Sequence, residues 1–259
     1  FARDGSEATK LTPAEVALIK DGPGGRSVAA AYLSIGEASE FRSFWEAGWT
    51  RNGLASGALT TSARDWLGPT NPDWPESLKV RYWDSEWQDI IFNDAGTGWL
   101  DQIVAQGFDA AYLDIVDAYY FWAVEVGAAD RRAGDPARGD EAEAARRMID
   151  FIVAMTLHAR ETNPDFFVIL QNGEFILDAL EGSDPAREAA LHALAELVAD
   201  ADEDPDLELV VEPARGAEHR RLRVPGQRLP GRAREGLPAH ADRGGAAVVA
   251  DRHPLVVRQ

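Results

Sequence analysis

A chain of 259 residues with 45% hydrophobic content, including 8 Trp, 5 Tyr and 10 Phe, has enough apolar surface for one large core, which excludes global disorder. Its formal charge of -18 repels phosphates and anionic headgroups, so neither nucleic acid nor a membrane is an expected partner, whereas a neutral or cationic substrate is accepted. The absence of cysteine removes disulfides, thiolate metal ligands and thiol nucleophiles together. No apolar run approaches the roughly 20 residues of a membrane span, and a start at Phe1 without a signal peptide is read as a processed or truncated terminus.

In chain order, Val28 to Leu33 reads as a buried strand that runs into polar Ser34-Ile35-Gly36-Glu37. Lys79 to Tyr82 reads as a second strand, with Asp84 placed to cap the helix that follows. Gly96 to Gln106 has Leu100, Ile103 and Val104 at helical spacing and is stopped by Gly107. The strand Ala110 to Leu113 ends at Asp114. Glu141 to Thr162 is an amphipathic helix stopped by Asn163-Pro164, and Phe166 to Leu170 is a strand ending in Gln171-Asn172-Gly173-Glu174. Ala186 to Val198 reads as a helix, and Leu207 to Val211 as a last strand before Glu212. Short apolar runs alternating with helical stretches predict parallel βα units. The expected fold is α/β, a (β/α)8 TIM-type barrel, for which about 250 residues is usual.

Every aromatic residue lies at or before Phe175, and from Pro213 to Gln259 ten Arg stand against four acidic residues. The expected division is a barrel domain over 1–212 and a basic, low-complexity tail over 213–259. Without aromatics the tail cannot offset an ordering cost of about 1 to 2 kcal/mol per residue, so it is expected to stay disordered. Its Arg, Pro, Ala and Gly resemble G+C-rich coding DNA read out of frame, which places an expected frame change near Glu212.

In a parallel barrel the C-terminal strand ends converge on one face, which brings Glu37, Asp114, Asp117 and Glu174 toward one pocket. Two carboxylates whose pKa values are pushed apart are the minimal equipment for glycoside hydrolysis. Trp45, Trp49, Trp83, Trp87, Tyr119, Tyr120 and Trp122 offer flat faces for sugar rings. Plainer readings stand beside these: Asp114 or Asp117 as a helix cap or turn residue, Glu37 or Glu174 opening a helix, the aromatics as core. All five His lie at or beyond His158 without ligand spacing, and no glycine-rich phosphate loop follows a strand. No cofactor and no metal are expected, although four carboxylates leave a metal-dependent hydrolase as an alternative.

Four stretches carry a resemblance: Tyr32-Leu33-Ser34-Ile35-Gly36-Glu37-Ala38, Val80-Arg81-Tyr82-Trp83-Asp84-Ser85-Glu86-Trp87-Gln88, the run from Gly107 through Asp114 and Asp117 to Tyr119, and Gln171-Asn172-Gly173-Glu174. In this order they resemble TIM-barrel proteins related to glycoside hydrolase family 114, the endo-alpha-1,4-polygalactosaminidases, over roughly residues 1 to 175. The resemblance implies a retaining-type endo-hydrolase of amino-sugar polymers, usually exported to the extracellular space or cell envelope, with a polysaccharide or oligosaccharide as partner. The family's strand-end Asp maps onto Asp114, expected to act as nucleophile or charge stabiliser, with Glu174 as general acid. Glu37, Tyr82, Trp83, Asp117, Tyr119 and Asn172 are the expected substrate contacts. Two departures accompany it. Phe1 to Gly5 is similar to the loop after the family's first strand, so that strand is not found here, and the acidic segment that follows Glu174 in the family is not found either. An inactive sugar-binding barrel is therefore the competing reading.

Overall fold

The computed structural model describes residues 10–22, 25–173 and 175–180, together with short strands at 208–210, 221–222 and 255–258. In chain order its elements are α1 (Pro13–Lys20), β1 (Ser27–Ser34), β2 (Glu37–Ser39), β3 (Leu67–Thr70), β4 (Ser77–Val80), α2 (Ser85–Ile91), α3 (Trp99–Ala105), β5 (Ala110–Asp114), α4 (Ala118–Tyr120), α5 (Glu141–Thr162), β6 (Phe167–Leu170), β7 (Glu208–Val210), β8 (Arg221–Leu222) and β9 (Leu255–Arg258).

The centre of the molecule is the parallel trio β1, β5 and β6, with β5 in the middle. Side chains alternate across a strand, and the two faces of this trio have different fates. Ala29, Ala31, Leu33, Ala111, Leu113 and Val168 point into the main core, which also takes in Val16 of α1, Leu100 and Ile103 of α3, and Met148, Phe151, Ile152 and Met155 of α5. On the other face Ala30 and Ala110 pack with half-buried Val28, Tyr112, Phe167 and Ile169. Register sets Tyr32 beside Tyr112 and Ser34 beside Asp114, so Asp114 closes that second face.

The helices begin and end where local chemistry says they should. Thr12 and Glu15 form a reciprocal capping box ahead of α1, Asp84 accepts from the Glu86 amide at the start of α2, and Asp140 accepts from the Glu143 amide at the start of α5. The expected helix from Glu141 to Thr162 is found with those limits, and its buried positions from Ala144 to Ala159 recur at helical spacing.

The strand expected at Lys79 to Tyr82 departs from its prediction. It ends at Val80 and pairs antiparallel with β2 on one side and β3 on the other, in a separate three-stranded sheet. Among the described residues the parallel pairings are those of β5 with β1 and with β6. Between the small sheet and the helices lies a wall of edge-on aromatic rings, Phe44, Trp49, Trp66, Trp87 and Trp99, with centroids 5.0–6.4 Å apart. Trp87 ties this wall to the parallel sheet by donating from Nε1 to the Ile35 carbonyl at 3.0 Å.

The tail expected to lack structure supplies β8 and β9, and β9 pairs antiparallel with both β1 and β7. Leu255-Val256-Val257 is an apolar run with two β-branched residues, a composition that favours strands. The helix expected at Ala186 to Val198 lies outside the described residues, as does Glu212. Among the described residues no helix is long and apolar enough to cross a membrane.

Candidate active site

Asp114 occupies the C-terminal end of the middle parallel strand and is held on three sides. Its backbone carbonyl accepts from the Ile35 amide at 3.1 Å, its Oδ1 accepts from the Ile115 amide at 2.8 Å, and its Oδ2 accepts from the Tyr32 hydroxyl at 2.5 Å. Burial, and then the Asp114 charge, push the Tyr32 phenol far up, so it remains a donor at any physiological pH. The Tyr112 phenol is raised for the same two reasons in the same order.

The loops after the three parallel strands interlock around this carboxylate. Ile115 has φ 61°, a left-handed backbone that costs a β-branched residue about 1 to 3 kcal/mol. Only a glycine fits opposite it, because a Cβ on Gly36 would sit 2.4 Å from the Ile115 carbonyl oxygen. Gly173 after β6 also approaches the β5 loop, less closely, where a Cβ would lie 2.9 Å from Val116 Cγ1. Helix α4 starts at Ala118 with Asp117, not Asp114, in the capping position, and Asp117 makes no side-chain capping bond. Asp114 is therefore no helix cap, whereas Asp117 holds the turn and capping position of the plainer reading without a side-chain bond to the helix.

Glu37 is the first residue of β2 and is buried. Its Oε1 accepts from Asn71 Nδ2 at 2.6 Å and from the Lys79 ammonium, its cross-strand partner. Burial pushes the Glu37 carboxyl up, and Lys79 and Asn71 pull it partly back. Asp117 is exposed at the surface, yet desolvation lifts its carboxyl to about 6. Lys79 opposes that rise, while Asp114 and Glu37 add to it. These influences join Glu37, Asp114, Asp117 and Lys79 in one electrostatic group. Ser34 Oγ, beside Asp114 in register, is buried with no hydrogen-bond partner.

Several expected sugar contacts go elsewhere. Tyr82 is fully buried and donates to the Ala144 carbonyl at 2.7 Å, which makes it a core residue with no ring face to offer. Trp83 is half-buried, edge-on to Tyr82 and Trp122, with the Arg147 guanidinium 5.1 Å from its ring. Tyr119 is buried and acts electrostatically on Tyr82. Trp45, Trp49, Trp87 and Trp122 serve the core, whereas Tyr120 keeps an exposed edge. Asn172 is exposed at the end of β6 with φ 60°. Glu174 lies outside the described residues.

Tyr32, Asn71 and Lys79 are site residues that the sequence reading passed over as such. Tyr32 had a visible signal, since strand alternation puts it on the face of Ser34. Asn71 and Lys79 had none, because only the pairing of β2 with β4 brings them to Glu37. Among the described residues no group of three or more His, Asp or Glu is placed to hold a metal ion. The cation at Glu37 is the Lys79 ammonium.

Fold and site together define an α/β protein with carboxylates gathered at parallel strand ends. The sequence model of glycoside-hydrolase family GH114 matches residues 18–184, and the chain belongs to that family. An uncharacterised protein of Thermotoga maritima is 35% identical over 182 residues, 70% of this chain and 47% of its own length. Another, from Methanocaldococcus jannaschii, is 36% identical over 69% of this chain and 43% of its own length. The chain thus spans about half the length of these curated relatives. Similar solved structures include the complex of Aspergillus fumigatus Ega3 with galactosamine, 17% identical, covering 73% of this chain and 61% of that one with a TM-score of 0.42. The glycoside hydrolase domain of PelA from Pseudomonas aeruginosa is 18% identical, covering 75% and 71%, also with a TM-score of 0.42.

Proposed function

We propose that this chain carries the catalytic unit of a glycosidase that cleaves an amino-sugar polysaccharide internally, in a (β/α)8 frame over residues 1–212, outside the cell or in its envelope. The observation that supports it most is Asp114. A carboxylate at the C-terminal end of a parallel strand, fixed by Tyr32 and by the amide of strained Ile115, is pre-aimed as a nucleophile or stabiliser of a positive transition state. Glu174, the residue after Gly173 in the sequence, is the proposed general acid that protonates the leaving oxygen. Asp117 orients a hydroxyl or amino group of the sugar, and exposed Asn172 lies at the same strand ends to add a hydrogen bond. The surplus of carboxylates favours a substrate bearing ammonium groups.

The test is release of reducing ends from galactosamine-containing and neutral polysaccharides, with and without a chelator. Asp114→Asn removes a charge and almost no volume, so turnover is expected to fall on the order of 10³-fold or more while the fold persists. Near-normal turnover in that variant overturns the mechanism, and activity lost to the chelator restores the metal-dependent reading. Saccharide binding with no release of ends by the unsubstituted chain identifies an inactive sugar-binding barrel instead.

A further inference from the structure

The chemistry at the strand ends leaves the far end of the small sheet without a task. Among the described residues seven large apolar side chains are exposed, and three of them, Phe41, Leu54 and Trp74, belong to loops that meet at Glu40. Single exposed apolar residues are ordinary on a protein surface, so it is the convergence that needs a reason. The Glu40 amide donates to the Glu76 carbonyl at 2.9 Å, and Glu40 Oε2 accepts from the Ala55 amide at 2.5 Å. This one residue thus ties the turn after β2, which carries Phe41, to the loop of Leu54 and to the β3–β4 connection of Trp74. The Thr70 hydroxyl holds the same loop from β3 by donating to the Ala55 carbonyl at 2.6 Å.

Both aromatic rings stand on closed turns. The Arg42 amide donates to the Ser39 carbonyl at 3.1 Å, and the Ser77 amide donates to the Trp74 carbonyl at 2.9 Å. The Arg42 guanidinium carbon lies 5.1 Å from the Phe41 ring centroid and 4.7 Å from that of Trp99, which fixes Phe41 from one side. Arg42 also lines a depression with Ser34 and Glu37, and Ser34 is the register partner of Asp114, so the patch is continuous with the strand ends. Phe41 is four residues from Glu37, which limits their Cα separation to about 14 Å. Trp74 is three residues from Asn71, which itself donates to Glu37. Asp73 and Glu76 on either side of Trp74 are exposed. Aromatic faces beside carboxylates suit a sugar ring that carries an ammonium group. A second copy of this chain is a poor occupant, because each brings a formal charge of -18.

We propose that Phe41 and Trp74 form a remote sugar-binding subsite: the two rings, fastened through Glu40 at the end of the small sheet, take a unit of the amino-sugar polysaccharide a few units away from the bond that is cut. The inference rests on the proposed function for the identity of the polymer. A platform on closed turns needs little ordering when the sugar arrives, so its contact area is converted to affinity. Its contacts are the same in the bound substrate and in the transition state, so they act on KM and not on kcat. Because the rings stand apart from Asp114, a saccharide too short to span the interval gains nothing from them, and the chain prefers long polymers.

The experiment measures binding of a galactosamine polymer and of a galactosamine disaccharide by calorimetry, in an Asp114→Asn background that prevents cleavage. The full chain is compared with Phe41→Ala, Trp74→Ala and their double variant, and with Leu157→Ser on the exposed side of α5 as a control. Polymer affinity is expected to fall about tenfold in the double variant and by less in each single one, with no change in Leu157→Ser. With Asp114 restored, the same loss appears in KM for the polymer and not in kcat. Phe41 is 55% exposed, so its variant decides the matter if Trp74→Ala does not fold. Unchanged polymer affinity in a folded variant without Phe41 and Trp74 overturns the proposal. A loss as large for the disaccharide as for the polymer overturns it too, since the rings then belong to the catalytic centre. A dimer in sedimentation that the double variant dissociates, with polymer affinity unchanged, makes the patch a self-association face instead. Weakened polymer binding in a chain that cleaves no saccharide upholds the subsite and overturns the catalytic reading, whereas a chain that binds no polymer overturns both.

Discussion

Two sheltered cations stand at the C-terminal end of the central strand of the small sheet, and they are used in opposite ways. Arg81, just past β4, bonds Asp135 at 2.6 and 2.9 Å, reaches the carbonyls of Leu67 at 2.8 Å and Asp130 at 3.0 Å, and lies 4.5 Å above the Trp122 ring. Every side of its fork is taken, with side-chain exposures of 5% and 3% for the pair. Two residues earlier, Lys79 holds Glu37 at one oxygen while also acting on Asp117. The first pair is saturated and closed, and what it does is fasten the loop around Asp135 to the sheet. The second is an open field, shared among groups that belong to different strands. Electrostatic partners that exhaust one another make architecture, and partners that leave charge unspent make a site.

The largest expected effect tests the closed pair. Arg81→Met strands the Asp135 carboxylate in the interior, and loss of one partner of a buried pair costs about 3 to 5 kcal/mol. Denaturant unfolding measures it, and a cost below about 1 kcal/mol would erase the contrast between the two cations. A smaller effect is expected at the hinge of the open region. Gly36→Ala drives a methyl to within 2.4 Å of the Ile115 carbonyl. Such overpacking costs about 1 to 3 kcal/mol and forces Ile115 away from Asp114. Activity should therefore fall further than stability does, and equal stability and activity in Gly36→Ala would show that the interlocked loops are not what aims Asp114.

The smallest effect depends on pH. The Asp117 carboxyl rises from an ordinary 3.8 to about 6 on folding. A raised carboxyl adds stability when protonated, fully below about pH 3.8, and that stability is lost as pH rises through about 6. Asp117→Asn keeps the neutral form at all pH values. Its melting temperature should exceed that of the unsubstituted chain at pH 7 to 8 and converge with it near pH 4. Because Asp117 is exposed, solvent screening keeps the difference small. A difference of the opposite sign at pH 8 would show that ionised Asp117 is held favourably, and would remove it from the strained side of the comparison.

Legibility from sequence followed the range of the interactions involved. Helix α5 was readable because its signals are local: Asp140 ahead of it, apolar residues at helical spacing within it, and Asn163-Pro164 behind it. Strands β5 and β6 were readable as apolar runs bounded by turn residues, and Asp114 stood out because an acid closes such a run. Tyr82 and Tyr119 are buried, where sequence offered sugar contacts, because an aromatic ring looks the same in sequence whether it meets a sugar or the core. The fate of Tyr82 depended on α5, whose Ala144 carbonyl takes its hydroxyl. The orientation of β4 misled for a similar reason, since three- and four-residue strands carry almost no directional signal of their own.

By itself, then, the amino-acid order determined that Glu141 to Thr162 is a helix, that apolar strands lie at Ala110 to Asp114 and Phe167 to Leu170, that Asp114 closes the first of these, and the family to which the chain belongs. Period, caps and the polar residues closing each strand act over a few residues, so they survive translation into one dimension. Tertiary structure decided the company Asp114 keeps. Tyr32 reaches it only through the register of β1 with β5, 82 residues apart, and Lys79 reaches Glu37 only because β4 turns back antiparallel on β2, 42 residues away. The charge state of Asp117 was decided at the same level, because desolvation and Coulomb fields depend on distance through space and not along the chain.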